Sequence, residues 1–167
     1  MPQQVQDRLD ALSREFFNLP KEEKAKISMK LGGSAWRGWF PVGDELTSGK
    51  PDQKEGLYLG QELDETHPRV QANIPLHGKN LFPEAPADLG KAIIEWQAYM
   101  SQIGKALLAG VAVGLGMERD WFAKNICKEP TELFRIFHYP PPVIKEGEHP
   151  GWGVGEHTDY GLVTILA

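Results

Sequence analysis

The chain has 167 residues, enough for one domain with a hydrophobic core of its own. Charged residues make up 25% of it and hydrophobic residues 41%, a balance that excludes wholesale disorder. The net charge of −5, with no basic block, argues against a nucleic-acid partner, and no apolar run approaches the length of a membrane span. The single cysteine, Cys127, argues against a disulfide framework and predicts a reducing, cytoplasmic compartment.

The first half of the chain predicts two helices followed by a long irregular segment. Apolar residues at spacings of four, three and four predict an amphipathic helix over residues 3–17. A second, short helix is expected to end at Gly32-Gly33. Residues 32–87 hold eight glycines and six prolines without a helical period, so we expect loops there, with local strands near 36–40 and 56–59.

The second half predicts helices followed by strands. One apolar stripe predicts a long helix from about 86 to 116, and a short helix is expected at 118–126. Residues 132–139 carry apolar side chains on both alternating faces, which predicts a buried strand. Residues 161–167 predict another buried strand, and the chain stops inside it.

A His-x-Asp pair, His157 and Asp159, directly precedes that last predicted strand. Residues two apart in an extended chain point to the same side, so this imidazole and carboxylate can bind one metal ion together. With a second, distant histidine they would form the facial triad of non-haem iron(II) oxygenases. The tripeptide alone leaves open a plain alternative, a surface histidine beside a turn-forming aspartate.

Several other segments, in chain order, match one family pattern. They are KEEK at 21–24, RGW at 37–39, GDEL at 43–46, KPDQKEG at 50–56 and FRIFHYPP at 134–141. Together with the glycine-rich approach to the His-x-Asp pair, they resemble the iron(II)/2-oxoglutarate-dependent oxygenases, the isopenicillin N synthase-like branch in particular. The resemblance covers nearly the whole chain.

The resemblance implies an α+β fold with an incomplete double-stranded β-helix, or jelly-roll, core. Residues 1–128 would be a helical and long-loop flank, and residues 129–167 the first strands of that core. It also implies that His157 and Asp159 are two of three iron ligands, and that Tyr139 faces the co-substrate or the substrate.

Two more residues of the predicted strand over 132–139 are candidates for the same cavity. Arg135 and Phe137 lie on the same alternating face as Tyr139. A salt bridge at the rim of the sheet is the alternative for Arg135, and core packing is the alternative for Phe137.

The cofactors implied by the resemblance are Fe(II), 2-oxoglutarate and O₂, with a small molecule as substrate. The family's second iron-binding histidine and its Arg-x-Ser motif are absent from this sequence. We therefore expect a fragment of such an oxygenase, which binds iron weakly and is inactive alone, and whose partner would be the remainder of its own domain. Two alternatives stay open: a catalytically silent product that acts by binding only, and an iron oxidase that dispenses with 2-oxoglutarate.

The remaining charged groups and histidines are expected to have structural rather than chemical roles. Asp52, Lys54 and Glu55 are expected to form local, solvated ion pairs. We expect the loop histidines His67, His77 and His149 to lie at the surface. His138 is expected to be structural, and Cys127 is expected to be a buried thiol.

Overall fold

The computed structural model describes residues 1–141 and 152–167 of the chain. Within these ranges the helices are α1 (Gln3–Phe17), α2 (Lys21–Ala25), α3 (Pro68–Gln71), α4 (Leu89–Gly114) and α5 (Trp121–Asn125). The strands are β1 (Gly38–Phe40), β2 (Leu46–Thr47), β3 (Lys50–Pro51), β4 (Glu55–Gly60) and β5 (Leu133–His138). Two 3-10 turns, Met29–Leu31 and Gly33–Ala35, connect α2 to β1.

Helices α1 and α4 form the helical layer of the fold. Helix α1 spans the predicted residues, and its buried face, which includes Leu9 and Phe16, packs against α4. Helix α2 ends at Ala25, well before the predicted stop at Gly32-Gly33. It is short because the chain then turns, so that Ser28 forms a bridge with Trp39 of β1.

The principal sheet has three antiparallel strands in the order β1-β4-β5. Its register places Tyr58 of β4 opposite Arg135 of β5. Strands β2 and β3 form a separate hairpin. The strands predicted near 36–40, 56–59 and 132–139 are therefore confirmed, with small differences in their ends.

One face of the sheet closes the hydrophobic core against the helices. Leu57 and Leu59 of β4 point to this face and are fully buried, since alternate side chains of a strand share a face. Each such side chain contributes about 1.5–3 kcal/mol when it leaves water. The fully buried apolar members of the core are Phe16, Leu57, Leu59, Leu89, Ala92 and Ile93.

The prediction of a buried strand over residues 161–167 is wrong. Residues 161–167 form no strand, and their side chains are exposed, Leu166 to 90%. An apolar run is buried as a strand only where a neighbour supplies hydrogen bonds and cover, and no described strand pairs with this one. The stripe of α4 is buried only in its first half, and Leu107 and Val111 of its second half are exposed.

Helices packed on one side of an antiparallel sheet confirm the α+β class. The short helix predicted at 118–126 is present as α5. The completion of a jelly-roll core and the division of the chain after residue 128 stay predictions. In the described ranges, no helix combines the length and the hydropathy needed to cross a membrane.

Gly110 lies inside α4 with no atom close enough to touch an added methyl group. We expect Gly110→Ala to raise the free energy of unfolding by about 0.5–1 kcal/mol, because alanine loses less backbone entropy than glycine in a helix. Urea unfolding followed by circular dichroism measures this change. A destabilised variant would show that this half of α4 is packed or not helical in solution.

Candidate functional site

The sheet face away from the core carries a continuous set of large side chains, which we call the aromatic face: Phe40, Tyr58, Arg135, Phe137 and Tyr139. The ring of Phe137 lies 6.4 Å from those of Phe40 and Tyr58 and 6.3 Å from that of Tyr139, measured between centroids. The three candidates from β5 and the residue after it therefore lie on one face, as strand alternation predicts.

Arg135 contacts two tyrosine rings. Its guanidinium carbon lies 4.8 Å from the ring centroid of Tyr58 and 5.0 Å from that of Tyr160. Cation–π contacts at this distance stabilise an arginine electrostatically through the ring faces. The salt-bridge alternative is not realised among the described residues, because none of their carboxylates pairs with Arg135.

A buried ion-pair network lies beside the aromatic face. The Lys54 ammonium is 2.8 Å from Asp52 and 3.0 Å from Glu45, and it lies 4.9 Å over the Phe137 ring. The Tyr58 hydroxyl donates a hydrogen bond to Glu45. Burial and this hydrogen bond raise the pKa of Tyr58, so its phenol keeps its proton.

The ion pairs predicted for Asp52 and Lys54 are therefore present, but the prediction that they are solvated is wrong. Lys54 is only 5% exposed. Burial lowers the pKa of its ammonium, but hydrogen bonds from it to Asp52 and Glu45 outweigh that effect and raise the pKa. Two carboxylates thus compensate the desolvation of one buried cation.

Glu55 forms a second buried network on the core side of the sheet. It accepts hydrogen bonds from Lys24, Trp39 and His138, all within 2.9 Å. Burial raises the pKa of Glu55, but these three donors together lower it below its ordinary value. His138 lies opposite the aromatic face, as expected for a structural residue.

The candidate metal ligands, His157 and Asp159, lie side by side and half-exposed. His157 Nε2 is 3.4 Å from Asp159 Oδ1, and His157 Nδ1 is 2.8 Å from the carbonyl oxygen of Gly155. Since a carbonyl can only accept, Nδ1 is the donor of this hydrogen bond, and Nε2 is the ring nitrogen beside the carboxylate. Metal-bound histidines commonly donate their other N–H to a backbone carbonyl in this way, so the donor set fits a metal ion.

A third ligand is not found in the part of the chain that the structure describes. There, no group of three His, Cys, Asp or Glu side chains is arranged to hold a metal ion. The structure therefore brings together the two candidate ligands, without a third among the described residues.

The segment that carries the His-x-Asp pair is docked beside the aromatic face at both of its ends. The carbonyl of Trp152 accepts a hydrogen bond from the Gln53 amide, 3.0 Å away, and Gly153 lies close to the ring of Tyr139. At the other end, Tyr160 stacks on Arg135. The candidate metal ligands and the candidate pocket residues are thus parts of one region.

Two predictions about single residues are wrong. His77 is buried rather than at the surface, and its ring lies 3.1 Å from the guanidinium of Arg69. Cys127 is half-buried rather than buried. His67 is half-buried and accepts a hydrogen bond from the Arg69 amide at the start of α3, while His149 lies outside the described residues.

Sequence reasoning missed three residues of this region: Tyr58, Tyr160 and Glu45. The sequence does contain a pattern that could have predicted the position of Tyr58. Its apolar neighbours on β4 alternate with it, so they indicate which face of the strand it occupies. Tyr160 directly follows Asp159 and shares its segment. No sequence pattern could have predicted the role of Glu45, because its hydrogen bond from Tyr58 depends on where the β2–β3 hairpin packs in the fold.

Comparison with known proteins places this chain in a family. The family model for the N-terminal region of the non-haem dioxygenase in morphine synthesis matches residues 1–85, which is half of the chain. This chain belongs to the non-haem iron(II)- and 2-oxoglutarate-dependent oxygenase family. Fe(II), 2-oxoglutarate and O₂ are the cofactors and co-substrates of this family.

Individual relatives of this oxygenase-family chain agree with that assignment. A probable iron/ascorbate oxidoreductase of Dictyostelium discoideum is 42% identical over 98% of this chain and 50% of its own length. A homoarginine-6-hydroxylase of Oryza sativa subsp. japonica is 32% identical over 93% of this chain and 47% of its own length.

A solved structure is similar as well. The chain superposes on a 2OG-Fe(II) oxygenase family protein from Caulobacter crescentus with a TM-score of 0.71 and 26% identity, over 88% of this chain and 46% of that one. The chain therefore spans about half the length of the relatives that it matches.

Proposed function

We propose that this chain supplies two iron ligands and a substrate-facing wall to a non-haem oxygenase that uses iron(II) and 2-oxoglutarate to oxidise a small molecule. The observation that carries the proposal is the position of the His157 ring beside Asp159. Its Nδ1–H is committed to the Gly155 carbonyl, so Nε2 is available to a metal ion next to Asp159.

The other candidate residues have roles that follow from their chemistry. Tyr139 is half-exposed and provides a hydroxyl that can donate to the co-substrate or the substrate. Phe137, packed between Phe40 and Tyr58, supplies an apolar wall that excludes water. When bound, the iron would activate O₂, which is the oxidant, while 2-oxoglutarate would supply two of the electrons needed to oxidise an unreactive C–H bond.

We expect the third iron ligand and the arginine that binds 2-oxoglutarate to come from polypeptide outside this sequence. Neither family motif occurs in these 167 residues. The same polypeptide would supply the remaining strands of a jelly-roll core and cover the apolar side chains of residues 161–167. The small-molecule substrate, the absence of a nucleic-acid partner and the cytoplasmic location stay predictions from the sequence.

Metal titration tests the proposal directly. We expect the chain to bind Co(II), a spectroscopic substitute for Fe(II), weakly, because two side chains hold the ion. Loss of a residue that only supports a metal ligand typically costs 10–100-fold in affinity, so His157→Ala and Asp159→Ala should each weaken binding by at least about tenfold. Calorimetry and Co(II) absorption measure the affinity.

His67→Ala is the matched control, because that histidine lies at α3, apart from the His-x-Asp segment, and should leave Co(II) binding unchanged. Equal affinity in His157→Ala and the unmodified chain would overturn the ligand assignment. Succinate formation from 2-oxoglutarate is the second measurement, and turnover by this chain alone would overturn the expectation that it needs a further ligand. Oxidation that proceeds in the whole protein without 2-oxoglutarate would instead favour the oxidase alternative.

A further inference from the structure

We propose that Arg135 is the substrate-anchoring residue of this site and binds a carboxylate of the small-molecule substrate. The inference rests on the proposed function, because it assigns a substrate class to the same pocket. It is carried by the clasp around Arg135, which consists of the Tyr58 and Tyr160 rings, both within 5.0 Å of its guanidinium carbon. Among the described residues, no carboxylate pairs with Arg135.

The clasp is built from two separate segments of the chain. Tyr58 comes from the middle of β4, directly opposite Arg135 in the sheet, and Tyr160 comes from the His-x-Asp segment. Neither ring supplies a carboxylate oxygen, so the five N–H bonds in the plane of the guanidinium can still bind one from a ligand. A planar edge of this kind matches a carboxylate in a two-bond, parallel arrangement.

Charge gives a second, independent argument. The nearby carboxylates of the described chain are already used: Glu45 binds Lys54 and Tyr58, and Asp52 binds Lys54 and Thr47. Lys54 therefore has its charge compensated from within the chain, whereas Arg135 does not. A half-buried cation beside aromatic side chains, without a described counter-ion, favours an anionic ligand.

The strand geometry adds a constraint on the shape of that ligand. Phe137 and Tyr139 follow Arg135 on the same face, and successive residues of one face lie about 7 Å apart along a strand. A ligand whose carboxylate binds Arg135 would therefore lay an apolar or aromatic body over Phe137. This arrangement predicts a carboxylate at one end of the substrate and an apolar middle part.

Benzoate is a suitable probe, because it combines a carboxylate with an apolar ring, and benzamide is its neutral counterpart. We expect benzoate to shift the Arg135 side-chain N–H resonance of the chain saturably at constant ionic strength. Benzamide should bind about tenfold to a hundredfold more weakly, since hydrogen bonds between charged partners are stronger than neutral ones. Inorganic phosphate, a non-planar anion, should compete poorly.

Two variants of the clasp and one control sharpen the test. Arg135→Gln should remove the preference for benzoate over benzamide. Tyr160→Leu should weaken benzoate binding severalfold while the fold is kept, because Tyr160 is 64% exposed and its ring serves mainly Arg135. Arg14→Gln, a change of an exposed arginine that is paired with Asp10, should leave benzoate binding unchanged.

Co(II) binding, measured on the same samples, separates this inference from the proposed function. Arg135→Gln should keep the Co(II) affinity of the unmodified chain. Equal affinities for benzoate and benzamide, or benzoate binding that survives Arg135→Gln, would overturn the carboxylate assignment and leave the iron assignment intact. A different result would overturn the iron assignment and leave the carboxylate assignment intact. In that case Arg135→Gln would lose benzoate binding, and His157→Ala would bind Co(II) as tightly as the unmodified chain.

Discussion

Glu55→Gln is expected to lower the free energy of unfolding by about 3–5 kcal/mol, the range for breaking a buried ion pair by removing one partner. The Glu55 carboxylate accepts hydrogen bonds from the Lys24 ammonium at 2.8 Å, the Trp39 indole at 2.9 Å and His138 at 2.8 Å. Glutamine keeps an oxygen that can accept a hydrogen bond but removes the negative charge that compensates the buried Lys24 ammonium, whose other oxygen partner is the neutral Phe17 carbonyl. Urea unfolding at neutral pH measures the loss.

The same group predicts an acid dependence of stability. The pKa of Glu55 is lowered in the folded chain from an ordinary value of 4.5, so the unfolded chain binds its proton more readily. The contribution of Glu55 is therefore complete above about pH 5 and is lost as the pH falls through its folded-state pKa. Glu55→Gln should lack this acid-side loss, which a series of urea unfolding curves from pH 7 to pH 3 would detect.

Glu23→Gln is the control for both measurements. Glu23 pairs with Lys26 at 2.7 Å, but both side chains are exposed, so its loss should change the free energy of unfolding by less than about 1 kcal/mol. A Glu55→Gln chain as stable as the Glu23→Gln chain would show that the core-side network does not form in solution.

Gly60→Ala is expected to lower the free energy of unfolding by about 2–4 kcal/mol, the combined scale of overpacking and of weakened hydrogen bonds to a charged group. The added methyl group would overlap the Arg37 guanidinium, which packs directly on Gly60. Moving the Arg37 guanidinium away from the methyl group would cost free energy. Arg37 is 1% exposed, and it donates hydrogen bonds to the carbonyls of Ala35 and Leu76, at 2.7 and 2.8 Å.

The backbone of Gly60 has little freedom to move instead. Its N–H donates to Asn80 Oδ1 at 2.9 Å, and its carbonyl accepts from Asn80 Nδ2 at 2.8 Å. The same glycine-to-alanine change at Gly110, where an added methyl meets open space, is the matched comparison and should stabilise the chain. Equal unfolding free energies for the two variants would contradict the packing of Arg37 against β4.

Local periodicity was enough to predict most elements. Helix α1 and strand β5 were predicted within a few residues, because helical and strand repeats reflect side-chain directions within one segment. The same property placed Arg135, Phe137 and Tyr139 on one face before their surroundings were known. The spacing of His157 and Asp159 likewise predicted neighbouring side chains, and they lie 3.4 Å apart.

Predictions that depended on distant partners were less successful. The burial of Lys54 and His77 was missed, because a charged or polar loop residue is buried only where other parts of the chain supply its hydrogen bonds. The strand predicted at residues 161–167 was wrong because it, too, depended on distant partners. An apolar segment forms a buried strand only where another element pairs with it and covers it, and no described element does so here.

The sequence by itself determined the fold class, the family, the cofactors of that family and the candidate ligands, because these depend on short patterns and their order. Only the tertiary structure decided the surroundings of those residues. It placed Tyr58 and Tyr160 against Arg135, and it docked the His-x-Asp segment beside the aromatic face through the Trp152 carbonyl and the Gln53 amide. Such contacts join segments far apart in the chain, so they depend on how the strands pair and the loops pack, which no local pattern records.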